Sequence, residues 1–339
     1  MIKKTALFFL LGGLFLAAPV LGQDVNFGGY LSFDYSHGEE KSLYSKGRIG
    51  NLEGGLVAAG FLIPRFEYAL ELSFRPGSEL TMEQAWLGYA ASEAFSVRFG
   101  LIPVAFGRFN LLNRPHSATF VQPPLNASAL LPHRWKEIGI EASGRFAGIE
   151  FSFYLGNGIA EAQDLSGGQQ FGDNNADKGR GFRIGAPLGD NLSVGYSRYW
   201  GKYDRENERT LKMQALDAGW ITEGFQLVYE RIWTDMENPE EFAQGEARGD
   251  YFLGVLAIGR LQPFFSYQRL NYSDPFHGPL FAGTLLPGNG ILLEKSRLTA
   301  GLIYSPSESV FFKAEYDFNR EEGEERKDNL FTIQLALRF

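Results

Sequence analysis

Most of this chain is written in short stretches where apolar and polar residues alternate. The last stretch is the clearest: Phe331, Ile333, Leu335, Leu337 and Phe339 alternate with Thr332, Gln334, Ala336 and Arg338. Successive side chains of a β-strand point to opposite faces, so this segment has one apolar and one polar face. The stretch before it sets Val310, Phe312, Ala314, Tyr316 and Phe318 against Lys313, Glu315, Asp317 and Asn319. Residues 27–35, 95–103, 138–142 and 149–155 follow the same rule, and helical periodicity is rare. A soluble β-sandwich alternates in the same way, so the connections must decide between the two. They alternate in length. Short ones fall at 61–64, 92–94, 146–148, 187–191, 222–224, 259–263 and 305–309. Long ones fall at 36–47, 76–81, 104–134, 157–179, 204–208, 236–247, 273–290 and 320–326. Short periplasmic turns and longer, charged external loops are the layout of a transmembrane antiparallel β-barrel. The count predicts about 16 strands, with 14 or 18 as neighbouring possibilities because strand boundaries shift by a few residues.

The first residues add an address. Lys3 and Lys4 precede an apolar run from Ala6 to Ala18, and small or branched residues follow up to Gly22. This reads as a secretory signal peptide over 1–22, cleaved after Gly22, with the barrel over 23–339. No later run is long and apolar enough for a transmembrane helix. The chain has no cysteine, which removes disulfides, thiolate metal sites and thiol nucleophiles. It has 41 Gly, 30 Phe and 15 Tyr. A barrel accommodates that composition by turning aromatic residues outward at the membrane interfaces and polar residues into the lumen. The formal charge of −8 becomes more negative once Lys3 and Lys4 leave with the signal, which argues against nucleic acid as a partner. A terminal Phe closing an alternating strand also fits the signal that outer-membrane insertion machinery reads. The address is therefore the outer membrane of a Gram-negative-type bacterium.

Candidate chemistry concentrates in one segment. Residues 94–136 contain no Asp or Glu, although the chain has 40 of them. They do contain Arg98, Arg108, Arg114, Arg134 and Lys136, together with His116 and His133. Most of the segment is the longest connection, 104–134, and a loop of that length is usually functional. Cations lining a narrow pore attract anions and repel cations, and Arg offers a planar fork for phosphate or carboxylate oxygens. The other reading is that these cations balance acidic residues on facing strands, with Glu83, Glu137, Glu141 and Glu150 as candidates, giving a general pore.

Residues 83–158 resemble the central region of the phosphate-selective porin O and P family. The likeness rests on Gln84-Ala85-Trp86-Leu87-Gly88-Tyr89, on Arg98-Phe99-Gly100-Leu101-Ile102-Pro103-Val104-Ala105-Phe106-Gly107, on Ile138-Gly139-Ile140-Glu141-Ala142-Ser143-Gly144 and on Tyr154-Leu155-Gly156-Asn157-Gly158. The resemblance implies a 16-stranded, trimeric channel whose third external loop, near 104–134, folds into the barrel and sets selectivity. "Porin" carries over more firmly than "phosphate", because inward positions include Glu141, Glu150, Glu315 and Asp317.

Other classes have less in the sequence behind them. Asp173-Asn174-Asn175-Ala176-Asp177-Lys178-Gly179 spaces oxygen ligands like a calcium loop, but Lys178 stands where such a loop needs Gly and Ile184 where it needs Glu. It is read as a solvated loop, so no metal and no cofactor are expected. A barrel hydrolase needs a nucleophile with a positioned base. The four histidines, at 37, 116, 133 and 277, all fall in predicted loops, and no lipase elbow, zinc helix or P-loop occurs. No catalytic residues are expected. The expectation is a passive channel for small anions or other small hydrophilic solutes, homotrimeric, set in outer-membrane lipid and lipopolysaccharide. A non-conducting structural or adhesion barrel is the alternative, and a barrel hydrolase the less favoured one.

Overall fold

A computed structural model describes residues 24–40, 42, 44–77, 80–162, 165–238, 245–272, 294–322 and 327–339. The signal peptide read over 1–22 and the whole connection at 273–290, with His277, lie outside the described residues.

The strands are β1 (Asp24–Gly38), β2 (Arg48–Ile63), β3 (Phe66–Phe74), β4 (Thr81–Ser92), β5 (Phe95–Pro103), β6 (Lys136–Phe146), β7 (Ile149–Gly156) and β8 (Gly179–Leu188). They continue with β9 (Leu192–Lys202), β10 (Thr210–Ile221), β11 (Phe225–Met236), β12 (Gly245–Leu256), β13 (Leu261–Tyr272), β14 (Lys295–Ser307), β15 (Val310–Glu321) and β16 (Leu330–Arg338). Each pairs antiparallel with its sequence neighbours, and β1 pairs with β16 from Tyr30↔Arg338 to Gly38↔Leu330. The sheet is therefore a closed barrel of 16 strands, as the alternating connections predict. Closure leaves no strand edge unpaired, which a lipid environment requires. Among the described residues no helix is long and apolar enough to cross a membrane. Small boundary differences occur at the short turns. β2 runs on through Ile63, so the first turn is Pro64-Arg65, with Arg65 at positive φ.

The alternation in sequence becomes the two faces of the wall. On β15, Lys313, Glu315, Asp317 and Asn319 are buried on the lumen side while Phe312 and Phe318 are exposed outward. On β7, Ser152 and Tyr154 face in and Phe153 and Leu155 face out. The abundance of both glycine and aromatic residues has a steric origin. Tyr30 lies over Gly55, Tyr154 over Gly181 and Phe264 over Gly301, each ring so close that an added Cβ would sit 2.2–2.3 Å from it. Each of these three rings thus occupies space that a side chain on the facing residue would fill.

The Gly55–Tyr30 pair gives a direct test. Tyr30 is buried and its hydroxyl donates to Glu53 Oε1 at 3.2 Å, so the ring has nowhere to turn. Gly55→Val is expected to cost about 1–3 kcal/mol through overpacking. Urea titration followed by the heat-modifiable gel mobility of the folded barrel measures this, and a wild-type midpoint would refute the packing argument.

Candidate functional site

The connection from Val104 to Trp135, here called L3, lies inside the barrel. It carries two short helices, α1 (Phe109–Leu112) and α2 (Leu125–Leu130). Its apolar residues Phe106, Phe109, Phe120, Leu125, Leu130 and Trp135 are buried together with inward residues Tyr154, Tyr199, Met213, Ile232, Tyr251 and Phe264 of the wall. Trp135 meets Tyr199 edge to face at 4.9 Å, and Phe120 meets Tyr251 and Phe264 at 5.7 and 6.1 Å. Asn110 ties the two legs of the loop. Its Nδ2 donates to Val104 O and Trp135 O at 2.9 and 3.1 Å, and its Oδ1 accepts from Trp135 N at 2.8 Å.

The backbone of L3 is met by polar groups of the wall. Glu230 on β11 accepts from the amides of Arg108 and Phe109, the latter at 2.9 Å. Glu315 on β15 accepts from Val121 N and Gln122 N at 2.8 and 2.9 Å. Gln268 on β13 accepts from Leu125 N at 2.9 Å. Lys313 donates to the carbonyls of Pro115 and Ala118, both at 2.6 Å. A loop without sheet partners must satisfy its amides and carbonyls somewhere, and here the lumen wall supplies the partners. Gly107 makes the closest approach possible: its φ is +63°, and an added Cβ would sit 3.0 Å from the Glu230 carboxylate.

The five cations singled out in the sequence come together along the β2–β6 side of L3, with one exception. Arg114 grips Glu71 on β3 with two bonds, Nε to Oε1 at 2.6 Å and Nη2 to Oε2 at 3.0 Å. Arg134 is 4% exposed and lies between Glu53 on β2 and Glu83 on β4, the latter at 3.4 Å. Lys136 reaches Glu83 Oε2 at 2.6 Å. Arg98 pairs with Glu141 at 2.7 Å and lies over the Trp86 ring at 5.0 Å. Arg108 is the exception: its guanidinium donates to Ser193 Oγ at 3.2 Å on the far wall, and among the described residues no carboxylate pairs with it. Of the acids considered as balancing groups, Glu83 and Glu141 take loop or strand cations, and Glu150 pairs with Arg145. Glu137 instead accepts from the Trp135 indole and Gly158 N, both at 3.0 Å. His116 is not a further cation: burial, with Arg338, Arg114 and Lys313 nearby, pushes its pKa down to about 4, so it is neutral at pH 7.

Two cavities flank L3. The larger, about 1210 Å³, runs from the short-turn residues Ser92, Glu93 and Gly148 up to Arg108, Asn110, Leu111 and Arg114. The smaller, about 150 Å³, lies among Phe109, Asn113, Leu131 and His133 with Ser166 of the next long connection. Asn110 borders both. Sequence reasoning, drawn to cations, did not single out Asn110, Glu230, Glu53 or Glu71. The three glutamates carried a signal as carboxylates at inward positions of amphipathic strands, whereas nothing in the sequence marks Asn110. Residues 173–179, weighed as a calcium loop, use their polar atoms otherwise: Asn174 and Asn175 donate to backbone carbonyls of the neighbouring loop, and Lys178 pairs with Asp173 at 2.7 Å. Among the described residues no group of three or more potential ligands is placed to hold a metal ion.

Two outcomes follow from this wiring. Arg134→Met leaves Glu53 with only the half-exposed Arg75 as a cationic partner and Glu83 with only Lys136, so unfolding in urea should become easier by about 1–3 kcal/mol. Adding Glu53→Gln should restore part of that loss, whereas an unfolding midpoint unmoved by Arg134→Met would show that the pairs carry no stability. Glu230→Gln with Glu315→Gln should loosen L3. Limited proteolysis of the folded barrel should then cut within 104–135 at a rate the wild type does not show.

Comparison with known proteins places this architecture. No family model matches the chain. An uncharacterized protein of Aquifex aeolicus is 25% identical over 297 residues, which are 78% of this chain and 66% of that curated relative's length. Among solved structures, OmpF of Salmonella typhi superimposes with a TM-score of 0.67 at 13% identity, covering 94% of this chain and 98% of that one. The outer membrane channel DcaP of Acinetobacter baumannii gives 0.67 at 13% identity, covering 93% and 97%. The anion-selective porin from Comamonas acidovorans gives 0.65 at 12% identity, covering 93% and 98%. At such identities the likeness speaks to architecture alone: a closed 16-stranded antiparallel barrel shared with these outer-membrane proteins.

Proposed function

We propose that this chain is an outer-membrane porin, through which small hydrophilic solutes diffuse passively with no cofactor and no chemical step. The observation that carries the proposal is the cavity of about 1210 Å³ inside a closed barrel, roofed by a loop with a charged rim. Its lining is mixed in sign. Arg98, Arg114, Arg134 and Arg183 each face a carboxylate, and Glu67 and Glu93 stand toward the short-turn end. Paired charges a few ångströms apart act on a passing ion as dipoles, so a general, weakly selective pore is the favoured reading. Arg108, which among the described residues has no carboxylate partner, favours a mild anion preference as the second reading. A phosphate preference would need several free guanidinium groups converging on the path, and four of the five candidate cations are engaged. In this proposal the signal peptide over 1–22 delivers the chain to the outer membrane, where it assembles as a homotrimer among lipid and lipopolysaccharide.

Planar-bilayer recording tests it, and a purified, folded barrel with no conductance would overturn the channel. Arg108→Ala and Arg114→Ala should both lower the anion-to-cation permeability ratio, by about twofold to fivefold for one partly screened charge. Arg114→Ala should have the larger effect because it also unmasks Glu71. Glu71→Gln should move the reversal potential the opposite way, and all three effects should fade in about 1 M salt, where screening reaches only about 3 Å. A reversal potential indifferent to all three substitutions would remove L3 from selectivity.

A further inference from the structure

Two glycines on adjacent strands of the inner wall serve no turn and have no left-handed backbone, yet an arginine lies against each. Gly195 on β9 lies beneath Arg183, whose guanidinium grips Asp217 with bonds of 2.5 and 2.9 Å. Gly219 on β10 lies beneath Arg108. A Cβ added there would sit 2.5 Å from Nη1, 2.9 Å from Cζ and 3.1 Å from Nη2. The outer edge of this guanidinium therefore rests on bare backbone. Gly219 stands opposite Ser193 in the register, and Ser193 Oγ accepts from Arg108 Nη1 at 3.2 Å. Together the two residues form a seat for the side chain.

The seat matters because the rest of Arg108 is fixed. The amides on either side, Gly107 N and Phe109 N, donate to Ser197 Oγ at 3.1 Å and Glu230 Oε2 at 2.9 Å. Only the side chain can yield if a methyl group enters the seat. A Cβ does not tolerate heavy atoms nearer than 3.0 Å, so the guanidinium would move off the wall by about 1 Å or more. Asp217, the inward carboxylate two residues along β10, offers no other berth, because both its oxygens are bonded to Arg183. The open side is the cavity of about 1210 Å³ that Arg108 and Ser193 both line. A charge moved from the wall toward the solute path acts more strongly there and narrows the opening.

We propose that Gly219 is a specificity-determining residue of the pore: its missing side chain lets Arg108 lie against β10, out of the solute path. Ser193 completes the seat and holds the guanidinium in it. The proposal rests on the channel reading and refines it, since a cation kept at the wall gives only a mild anion preference and leaves the opening wide.

Planar-bilayer recording of Gly219→Ala should show an anion-to-cation permeability ratio raised about twofold and a lower single-channel conductance. Both changes should vanish when Gly219→Ala is made in the Arg108→Ala background, which a general distortion of the wall would not allow. Gly185→Ala adds a methyl group to β8 with nothing nearer than Val194 O at 3.8 Å, and should match wild type. A second measurement needs no conduction: phenylglyoxal treatment of the folded chain followed by peptide mass spectrometry reads how accessible each guanidinium is. Loss of one hydrogen bond should speed modification of Arg108 by about threefold or more in both Gly219→Ala and Ser193→Ala, with Arg65 unchanged. Ser193→Ala adds no bulk, so it carries the test if Gly219→Ala lacks the heat-modifiable mobility of a folded barrel. A ratio that falls or stays at the wild-type value, a shift that survives Arg108→Ala, or an unchanged rate at Arg108 would each overturn the seat. A wild-type barrel without conductance would instead remove the channel, and the modification rates would still decide the seat.

Discussion

The interior of this barrel depends on one complementarity: a loop that brings cations but no carboxylate lies against a wall that offers carboxylates. A long segment placed in a lumen loses much of its water, and each of its amides and charges then needs a fixed partner. The wall meets both needs with the same residue type. Glu53, Glu71 and Glu83 take the guanidinium and ammonium groups on one side, while Glu230 and Glu315 take pairs of backbone amides on the other. L3 is thereby suspended between opposite walls, and the aromatic cluster around Phe120 and Trp135 fills the space between them.

That suspension changes what the cations are for. A guanidinium bonded twice to a carboxylate at 2.6 and 3.0 Å, as Arg114 is to Glu71, contributes little net field to a solute several ångströms away. Its larger role is to hold the loop, and the free volume of the pore is then set by where the loop is held. Charge count along the segment and charge felt in the pore are different quantities. Arg108 is where the two agree most closely, because a hydroxyl rather than a carboxylate holds its side chain.

Much of the fold was legible because membrane barrels write their architecture in local terms. Side-chain alternation gives the strands, and the strict alternation of short and long connections gives closure and an even count. The limits of 104–134 could be read because Pro103 ends one amphipathic strand and Lys136 begins the next. The cations of the loop could be found by the absence of acid around them. Their partners could not, because Glu53, Glu71 and Glu230 lie far away in sequence and are brought to the loop only by closure of the sheet. Asn110 gave no signal at all, since its role depends on the two legs of L3 meeting at Trp135.

Alternation also conceals something that only register reveals. A strand's pattern says that two faces differ, and a slip of one residue exchanges them. Arginines at polar positions invite a lumen assignment, yet Arg198, Arg231 and Arg248 occupy outward positions, with the outward Asp250 directly opposite Arg231. Their alternate neighbours Tyr199, Ile232 and Gly249 point into the barrel. The inner surface on this side is accordingly less polar than expected, and the outer surface less apolar. The inner departure has a cause in the loop: L3 packs its aromatic side against β9–β13, so apolar side chains are wanted inside there.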